Sequence, residues 1–187
     1  LGGLASLATI SIVPSRVLGL NGQTAPSNQL TRAILGCGGI SNSHLGMPGK
    51  ILALCDVDSN RLKGQMAKVQ GRGNKDVKGY HDFRDVIARD DVDIIHTCTP
   101  PHWHAHMAIA AAQAGKAIWG EKPMSRTIGE GMAMKKEIEK AGVAFRINTW
   151  FRFKSNFYGS GVTARQVKKA VDGGLLGKGP YKVTLSG

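Results

Sequence analysis

From residue 31 onward, short apolar runs alternate with longer stretches of helical periodicity. The apolar runs are rich in β-branched residues, which is typical of buried strands. Five or six strands are predicted, at 32–35, 51–55, 77–80 (the weakest), 93–99, 117–120 and 143–147. Capping residues and glycines predict the helices between them, at 58–69, 82–88, 104–114 and 127–142. This alternation predicts right-handed βαβ crossovers and a doubly wound parallel sheet of the α/β class.

The first thirty residues differ in composition from the rest of the chain. They contain no acidic residue, and a mildly apolar run over 1–13 ends at Pro14. Such a run is too short for a membrane-spanning helix, which needs about 20 residues, but it suits the apolar region of an export signal. Its weak hydrophobicity favours a twin-arginine signal whose arginines lie upstream. We therefore expect residues 1–30 to be part of an export signal and a linker. The protein is then periplasmic, without stable membrane insertion; the alternative is an N-terminal arm packed on a cytoplasmic protein.

Composition indicates a globular protein but raises the question of an anionic partner. Hydrophobic residues make up 42% and charged residues 20%, whereas the net charge is +12. Basic residues are dispersed, and aromatic side chains do not interleave with them as a base-stacking surface requires. We therefore predict no nucleic-acid partner. The 3 cysteines form no C-x-x-C pair, which argues against a disulfide scaffold and a cysteine-based zinc finger.

The first predicted strand runs directly into a glycine-rich turn, Gly36-Cys37-Gly38-Gly39-Ile40-Ser41. A dinucleotide site needs glycine at the tight turn and where the backbone approaches the pyrophosphate, then a small residue where the next helix packs on the strand. Gly36 and Gly38 fit the first two positions, and Ser41 takes the third. The N-terminus of the following helix then presents backbone N–H groups to an anion. A simple tight turn is the alternative.

Asp56 lies 20 positions after Gly36, at the end of the second predicted strand. An acidic side chain there accepts hydrogen bonds from the adenosine ribose and repels a 2′-phosphate. This favours NAD over NADP, although Arg61 is near enough in sequence to soften the preference, so NADP stays possible. A methyltransferase uses a similar turn and a similar acid, so the turn and Asp56 leave both classes open.

Two further segments follow the fourth and fifth predicted strands, Thr99-Pro100-Pro101-His102-Trp103-His104 and Glu121-Lys122-Pro123. Both strand ends face the ligand crevice of an open α/β sheet. A lysine beside a nicotinamide can hold and polarise a substrate hydroxyl while hydride leaves its carbon. We predict Lys122 as a catalytic residue and Glu121 as the residue that fixes it; a surface Glu-Lys pair is the alternative.

The histidines of this region also raise the possibility of a metal site, because His102 and His106 could share a helical face. No acidic third ligand lies nearby in sequence, so we predict no metal. Cys37, beside the glycine turn, is predicted to be a small buried filler rather than a reactive thiol.

In order and spacing, the segments GCGGIS, CDVD, TPPHWHA, EKP and RQVKKAVDGGLLGK resemble the Gfo/Idh/MocA oxidoreductase family over residues 32–187. The resemblance implies an NAD(P)-binding Rossmann domain, residues 31–150, followed by an α/β domain with an open, mainly antiparallel sheet. We expect residues 151–187, with a predicted helix at 163–171 and a strand at 181–185, to be the incomplete beginning of that domain. The rest of it is expected to hold further catalytic groups and the contacts of a homo-oligomer.

The resemblance also implies roles for individual residues. At the pyrophosphate it places Gly36, Gly38, Gly39 and Ile40, and at the ribose Asp56. On the nicotinamide side it places Thr99, Pro100, Trp103, His104 and Asn148. Glu121 and Lys122 match the family's EKP pair at the cofactor, with Lys122 as the active-site lysine. Ser41 departs from the family's usual third glycine.

The function implied by the resemblance is hydride transfer between a carbinol of a sugar, cyclitol or other polyol and bound NAD. An NAD-dependent glycoside hydrolase, which oxidises C3 transiently, is known among relatives of this family and stays open. A non-catalytic protein that binds the nucleotide or a sugar is a third possibility. Exported members fold around the cofactor before export, which would allow NAD chemistry in a compartment without free NAD.

Overall fold

The computed structural model describes residues 28–149, 163–175, 177 and 179. The chain separates into two compact units between Arg146 and Ile147, a boundary that falls within the last strand. The strands are β1 (Thr31–Leu35), β2 (Lys50–Cys55), β3 (Lys78–Tyr80), β4 (Ile94–Thr97), β5 (Ala117–Glu121) and β6 (Phe145–Asn148). The helices are α1 (Ser41–His44), α2 (Ser59–Gly71), α3 (Phe83–Ile87), α4 (Pro101–Gln113), α5 (Ile128–Ala141) and, in the second unit, α6 (Ala164–Asp172).

The strands form one six-stranded sheet in the order β3-β2-β1-β4-β5-β6. All pairings from β3 through β5 are parallel. The chain proceeds outward from β1 in one direction and from β4 in the other, which confirms the predicted doubly wound α/β fold. A sheet of this kind has its ligand crevice where the order reverses, here between the carboxyl ends of β1 and β4.

The core lies on both faces of the sheet because successive side chains of a strand point to opposite sides. On β1, Ala33 and Leu35 pack with residues of α4 and α5, whereas Ile34 packs with Leu62 and Val69 of α2. A central strand buried on both faces is what parallel sheets require. Among the described residues, no helix is long and apolar enough to cross a membrane.

Capping residues set the helix bounds largely as the sequence predicts. Asp58 accepts hydrogen bonds from the backbone of Asn60 and Arg61 at the start of α2. Thr127 and Glu130 form the predicted capping box of α5, which ends at Gly142 in the left-handed region, with φ 66°. Such caps satisfy backbone groups that the helix itself leaves unpaired.

Two predicted bounds around β4 are wrong. The strand ends at Thr97 rather than residue 99, and α4 begins at Pro101 rather than His104. Proline suits the first helical position because the N–H that it lacks would have no intrahelical partner there. The predicted strand at 181–185 and the apolar run 1–13 lie outside the described residues.

The loop between α1 and β2 is held by a buried arginine on β1. Arg32 is 1% exposed, and its guanidinium donates to the carbonyls of Gly49, His44, Leu45 and Met47 at 2.6–3.3 Å. Its charge is thus enclosed by backbone oxygens, which offsets the cost of burial. This arrangement fixes the backbone of His44 at the end of α1.

Candidate functional site

A cleft of about 610 Å³ opens at the carboxyl ends of β1, β2 and β4, the crevice expected from the strand order. Its volume is within the usual range for small-molecule sites. The cleft brings together eight residues predicted to bind the cofactor: Gly36, Gly38, Gly39, Ile40, Asp56, Thr99, Pro100 and Trp103. The glycine turn and the segment that follows β4 therefore meet in one cavity, although more than 50 residues separate them in the sequence.

Gly36 occupies a position that only glycine can fill. Its φ is +94°, and a Cβ there would lie 2.7 Å from the carbonyl of Cys98 and 2.8 Å from the backbone nitrogen of Thr99. Its N–H donates to the Cys55 carbonyl at 2.8 Å. The tight turn that leaves β1 thus packs directly against the end of β4.

Gly38 and Gly39 instead face open space, since a Cβ at either position would meet nothing within 4 Å. Within the described residues, the backbone N–H groups of Gly38, Gly39 and Ile40 make no hydrogen bond. Unpaired N–H groups lining a cleft are suitable donors for a phosphate. The glycine turn therefore fits the pyrophosphate of a dinucleotide.

The helix after this turn differs from the sequence prediction. α1 has only 4 residues, and the N–H groups of Ser41, Asn42 and Ser43 donate to the carbonyls of residues 38–40 at 3.1–3.3 Å. The free donors are consequently those of the turn itself rather than those of a helix N-terminus. The Ser41 hydroxyl is fully buried and donates to the Gly38 carbonyl at 2.6 Å, which fixes the turn from below.

Asp56 lies at the opposite side of the turn from β4. Its Oδ2 accepts the Cys37 N–H at 2.7 Å, and its Oδ1 accepts the Asp58 N–H at 2.9 Å. Each carboxylate oxygen has a second lone pair, so the half-buried side chain can still accept hydrogen bonds from a ribose. Arg61 also lines the cleft, where its guanidinium lies 3.5 Å from Asp58.

Sequence reasoning missed the wall of the cleft that follows β3. The side chains of Phe83 and Trp103 meet with ring centroids 6.1 Å apart, and Arg84 lies over the Phe83 ring at 4.9 Å. His81 contacts the Asp56 carbonyl through Nδ1 at 2.9 Å. No motif marks these residues, because they follow a three-residue edge strand with little pattern of its own.

The segment after β5 is anchored by a buried carboxylate. Glu121 is 3% exposed, and its Oε2 accepts the backbone N–H of Lys122 at 3.2 Å. Its Oε1 lies 2.7 Å from Nε2 of His44. The side chain of Lys122 is exposed. Neither residue is among those that line the cleft. The contact observed is between Glu121 and the backbone of Lys122, at the end of β5, the strand next to β4.

His104 joins the loops that follow β4 and β5. The ring is buried, with Nε2 2.7 Å from the Thr99 carbonyl and Nδ1 2.7 Å from the Pro123 carbonyl. Both ring nitrogens are therefore engaged with backbone oxygens, and neither is open to a metal. His104 lies beneath the loops rather than on the cleft surface. Asn148 is the buried last residue of β6, and its assignment to the nicotinamide stays a prediction.

A second buried polar contact was also missed by sequence reasoning. His44 and His96 meet through their Nδ1 atoms at 2.8 Å. Burial, followed by the neighbouring His44 and Arg32, lowers the pKa of His96 to about 3. The available signal was a histidine in the middle of an otherwise apolar buried strand, since buried polar groups require partners.

Cys37 is buried, in agreement with the predicted filler role. Burial and the neighbouring Asp56 raise the pKa of this thiol to about 12. The thiol is therefore protonated at neutral pH and is a poor nucleophile.

Comparisons with known proteins agree with this geometry. Residues 30–149 match the model of GFO_IDH_MocA, an oxidoreductase family with an NAD-binding Rossmann fold. The D-apiose dehydrogenase of Paraburkholderia graminis is 29% identical over 142 residues, which cover 72% of this chain and 36% of that protein. A glycosyl hydrolase family 109 protein of Solibacter usitatus is 32% identical over 143 residues, which cover 68% and 33%.

Among solved structures, the WlbA dehydrogenase from Bordetella pertussis, in complex with NADH and UDP-GlcNAcA, superposes with a TM-score of 0.64 at 26% identity. The superposition covers 80% of this chain and 43% of that one. The chain thus spans between 33% and 43% of the length of these relatives. Since the family match covers most of the chain and includes the whole glycine turn, the protein belongs to the Gfo/Idh/MocA family of oxidoreductases, and residues 30–149 are its NAD-binding Rossmann domain.

Proposed function

We propose that the protein transfers a hydride between a carbinol carbon of a sugar or polyol and NAD held in the cleft. The observation that carries the proposal is the occurrence of two features at the same edge of the sheet, where the carboxyl ends of β1, β2 and β5 lie. One is a glycine turn with unpaired N–H groups beside Asp56, and the other is Lys122, whose backbone is bound by the buried Glu121. D-apiose dehydrogenase and the WlbA dehydrogenase, both relatives, support a sugar as substrate.

The residues of the cleft fit NAD. The open side of Gly38 and Gly39 admits the pyrophosphate close to the backbone, where the N–H groups of residues 38–40 would donate to it. Asp56 would accept hydrogen bonds from the ribose and disfavour a 2′-phosphate. When bound, the nicotinamide accepts or returns the hydride. Arg61, on the same side of the cleft, leaves NADP possible as a weaker cofactor.

Lys122 would act on the substrate hydroxyl. Its ammonium group donates to the oxygen and stabilises the negative charge that develops as the hydroxyl proton passes to a general base, which we expect the second domain to supply. Glu121 and His104 hold the chain immediately before and after Lys122, which limits the positions that its side chain can reach. Such fixation favours catalysis, because small displacements of a reacting group are costly.

The relative named as a glycosyl hydrolase family 109 protein, at 32% identity, favours a second candidate function. In this alternative the same cleft serves transient oxidation of a glycoside at C3, followed by elimination of the aglycone, addition of water and return of the hydride. The two functions differ in their net products. A dehydrogenase accumulates NADH with a sugar substrate, whereas the hydrolase releases the aglycone without net NADH.

The test uses the full-length protein and begins with mass spectrometry of small molecules released on denaturation. Recovery of NAD in near-stoichiometric amount, with turnover of sugars or glycosides, supports the proposal. Lys122→Ala should abolish turnover and leave NADH binding, followed by fluorescence, unchanged. Lys136→Ala, an exposed lysine on α5, is the matched control and should retain turnover. Absence of NADH binding to the purified protein would rule out the proposed function.

We also infer that residues 1–30 direct export to the periplasm. The absence of acidic residues and the apolar run 1–13 support this inference. We further propose that residues 151–187 begin a second domain, through which the whole protein forms a homo-oligomer. Mass spectrometry of the mature N-terminus in periplasmic and cytoplasmic fractions tests export, and light scattering of the full-length protein tests assembly.

A further inference from the structure

A chain of buried polar side chains runs behind the Lys122 segment. His96 on β4 contacts His44 through the two Nδ1 atoms at 2.8 Å, and His44 Nε2 contacts Glu121 Oε1 at 2.7 Å. The exposed fractions of these side chains are 2%, 0% and 3% for His96, His44 and Glu121. Burial of three such groups is costly unless each is hydrogen-bonded, so this chain requires an explanation beyond packing.

One arrangement of protons satisfies the His96–His44 and His44–Glu121 contacts with both rings neutral. The carboxylate of Glu121 only accepts, so His44 must donate through Nε2–H. His44 Nδ1 is then an acceptor, and His96 supplies the proton through its own Nδ1–H. Burial lowers the pKa of His96 to about 3, which keeps this ring neutral as the arrangement requires. His96 thereby selects the tautomer of His44 that can donate to Glu121.

The far end of the chain is the backbone of Lys122. Glu121 uses one oxygen for His44 and the other for the Lys122 N–H, at 3.2 Å. A glutamate has three rotatable side-chain bonds, the last of which turns the carboxylate plane, so a contact at its other oxygen helps to hold the oxygen that faces Lys122. The backbone of His44 is in turn fixed by Arg32, which donates to its carbonyl at 2.6 Å.

We propose that His44 is a positioning residue for Lys122. His44 acts through Glu121 and depends on His96 for its tautomer. The proposal rests on the proposed function for its effect on catalysis, because it concerns the residue assigned to the substrate hydroxyl. It assigns a role to two histidines outside the cleft. It also explains why a histidine is buried in the middle of β4.

Three substitutions of His44 in the full-length protein separate its two contacts. His44→Gln keeps a nitrogen donor near the position of Nε2, so it can still bind Glu121. His44→Asn keeps a polar group near the position of Nδ1 and loses the donor to Glu121, and His44→Leu loses both. Met134→Ala is the control for general destabilisation, because Met134 is a buried residue of the hydrophobic core on α5.

The first measurement is independent of turnover: hydrogen exchange at the Lys122 amide, followed by NMR in 15N-lysine-labelled protein. We expect faster exchange in His44→Asn and His44→Leu, and near wild-type exchange in His44→Gln and Met134→Ala.

The second measurement is kinetic. His44→Asn and His44→Leu should lower kcat about 10- to 100-fold, the cost typical of a misplaced catalytic group. Their affinity for NADH should change little. His44→Gln should retain most of the wild-type kcat.

The proposal is overturned if exchange and kcat follow the melting temperature across all four variants, whatever donor residue 44 retains. If the variants do not fold, 15N NMR of the wild-type imidazoles decides, since the proposal requires the Nε2–H tautomer of His44 and the Nδ1–H tautomer of His96. Detection of the opposite tautomers overturns it. A wild-type protein without turnover would contradict the proposed function alone, because amide exchange and tautomers would still report on His44.

Discussion

The carboxylate of Asp56 accepts a hydrogen bond from the backbone N–H of Cys37 at 2.7 Å, so the residue predicted to bind the ribose also fixes the glycine turn. Its second oxygen accepts the Asp58 N–H at 2.9 Å, at the beginning of α2. One side chain thus links the ends of β1 and β2 within the cleft. Substitution of Asp56 is therefore expected to act on both halves of the cofactor site.

Asp56→Ala is expected to weaken NAD binding more than NADP binding. Both cofactors lose the hydrogen bonds to a charged acceptor, which typically contribute about 1.5–3 kcal/mol, but only NADP is relieved of repulsion between its 2′-phosphate and the carboxylate. Fluorescence titration with NADH and NADPH gives the two affinities. Asp76→Ala, which removes an exposed aspartate 3.5 Å from Lys50, is the control. Equal losses for the two cofactors would contradict the ribose contact.

Alanine at Gly36 should lower the stability of the protein, whereas alanine at Gly38 should lower its affinity for NADH. At Gly36 a methyl group would clash with the backbone of residues 98 and 99 at a φ of +94°, and such strain costs about 1–3 kcal/mol or more. At Gly38 it meets nothing within 4 Å, so stability should stay near that of the wild type while NADH affinity falls. Chemical denaturation and NADH titration measure the two effects. Normal NADH affinity in Gly38→Ala would place the pyrophosphate elsewhere.

The sequence was sufficient to predict the strands of the parallel sheet and most helix bounds, because both depend on local signals. Buried strands such as β2 are apolar runs, and the caps Asp58 and Thr127 bind the backbone within their own helices. The predicted bounds failed around β4 and α4, because the Pro100-Pro101 pair begins the helix instead of ending the strand, which stops at Thr97. A proline can occupy either place, so sequence alone does not decide between them.

The candidate site was predictable only where a motif carries the chemistry. The glycine turn and Asp56 have fixed roles and a fixed spacing, and they meet in the cleft. The contacts of Glu121 with His44, and of His104 with Pro123, join residues 77 and 19 positions apart. Such pairs depend on how α1 and α4 pack on the sheet, which no local pattern specifies. For the same reason the sequence predicted that Glu121 fixes Lys122, but did not specify that the contact is made with the backbone N–H of Lys122.

The cysteines should resist alkylation in the folded protein at neutral pH. Cys37, Cys55 and Cys98 are all buried, and burial raises the pKa of Cys37 and of Cys55 to about 12. Since the thiolate is the reactive form, iodoacetamide should label none of them at pH 7 until denaturant is added. Mass spectrometry of peptides after timed labelling measures this. Rapid native labelling of Cys37 would contradict its buried position under the glycine turn.

Stability should fall in acid because of His96. The pKa of this ring is lowered from 6.5 to about 3, first by burial and then by His44 and Arg32. Below pH 6.5 the unfolded chain takes up a proton at residue 96 that the folded chain does not. The free energy of unfolding therefore decreases as the pH falls from 6.5 towards 3, by up to about 1.4 kcal/mol per pH unit from this residue.

His96→Asn removes the titrating group and keeps a side-chain N–H near the position of Nδ1, where it can still donate to His44. We expect this variant to be less stable than the wild type at pH 7, because the stacking of His96 on Trp119 is lost, yet to lose less stability on acidification. His106→Asn, at an exposed histidine of α4, should keep the wild-type slope. Urea denaturation at half-unit steps between pH 4 and pH 7 gives the slopes, and identical slopes in all three proteins would mean that His96 is not the group that titrates.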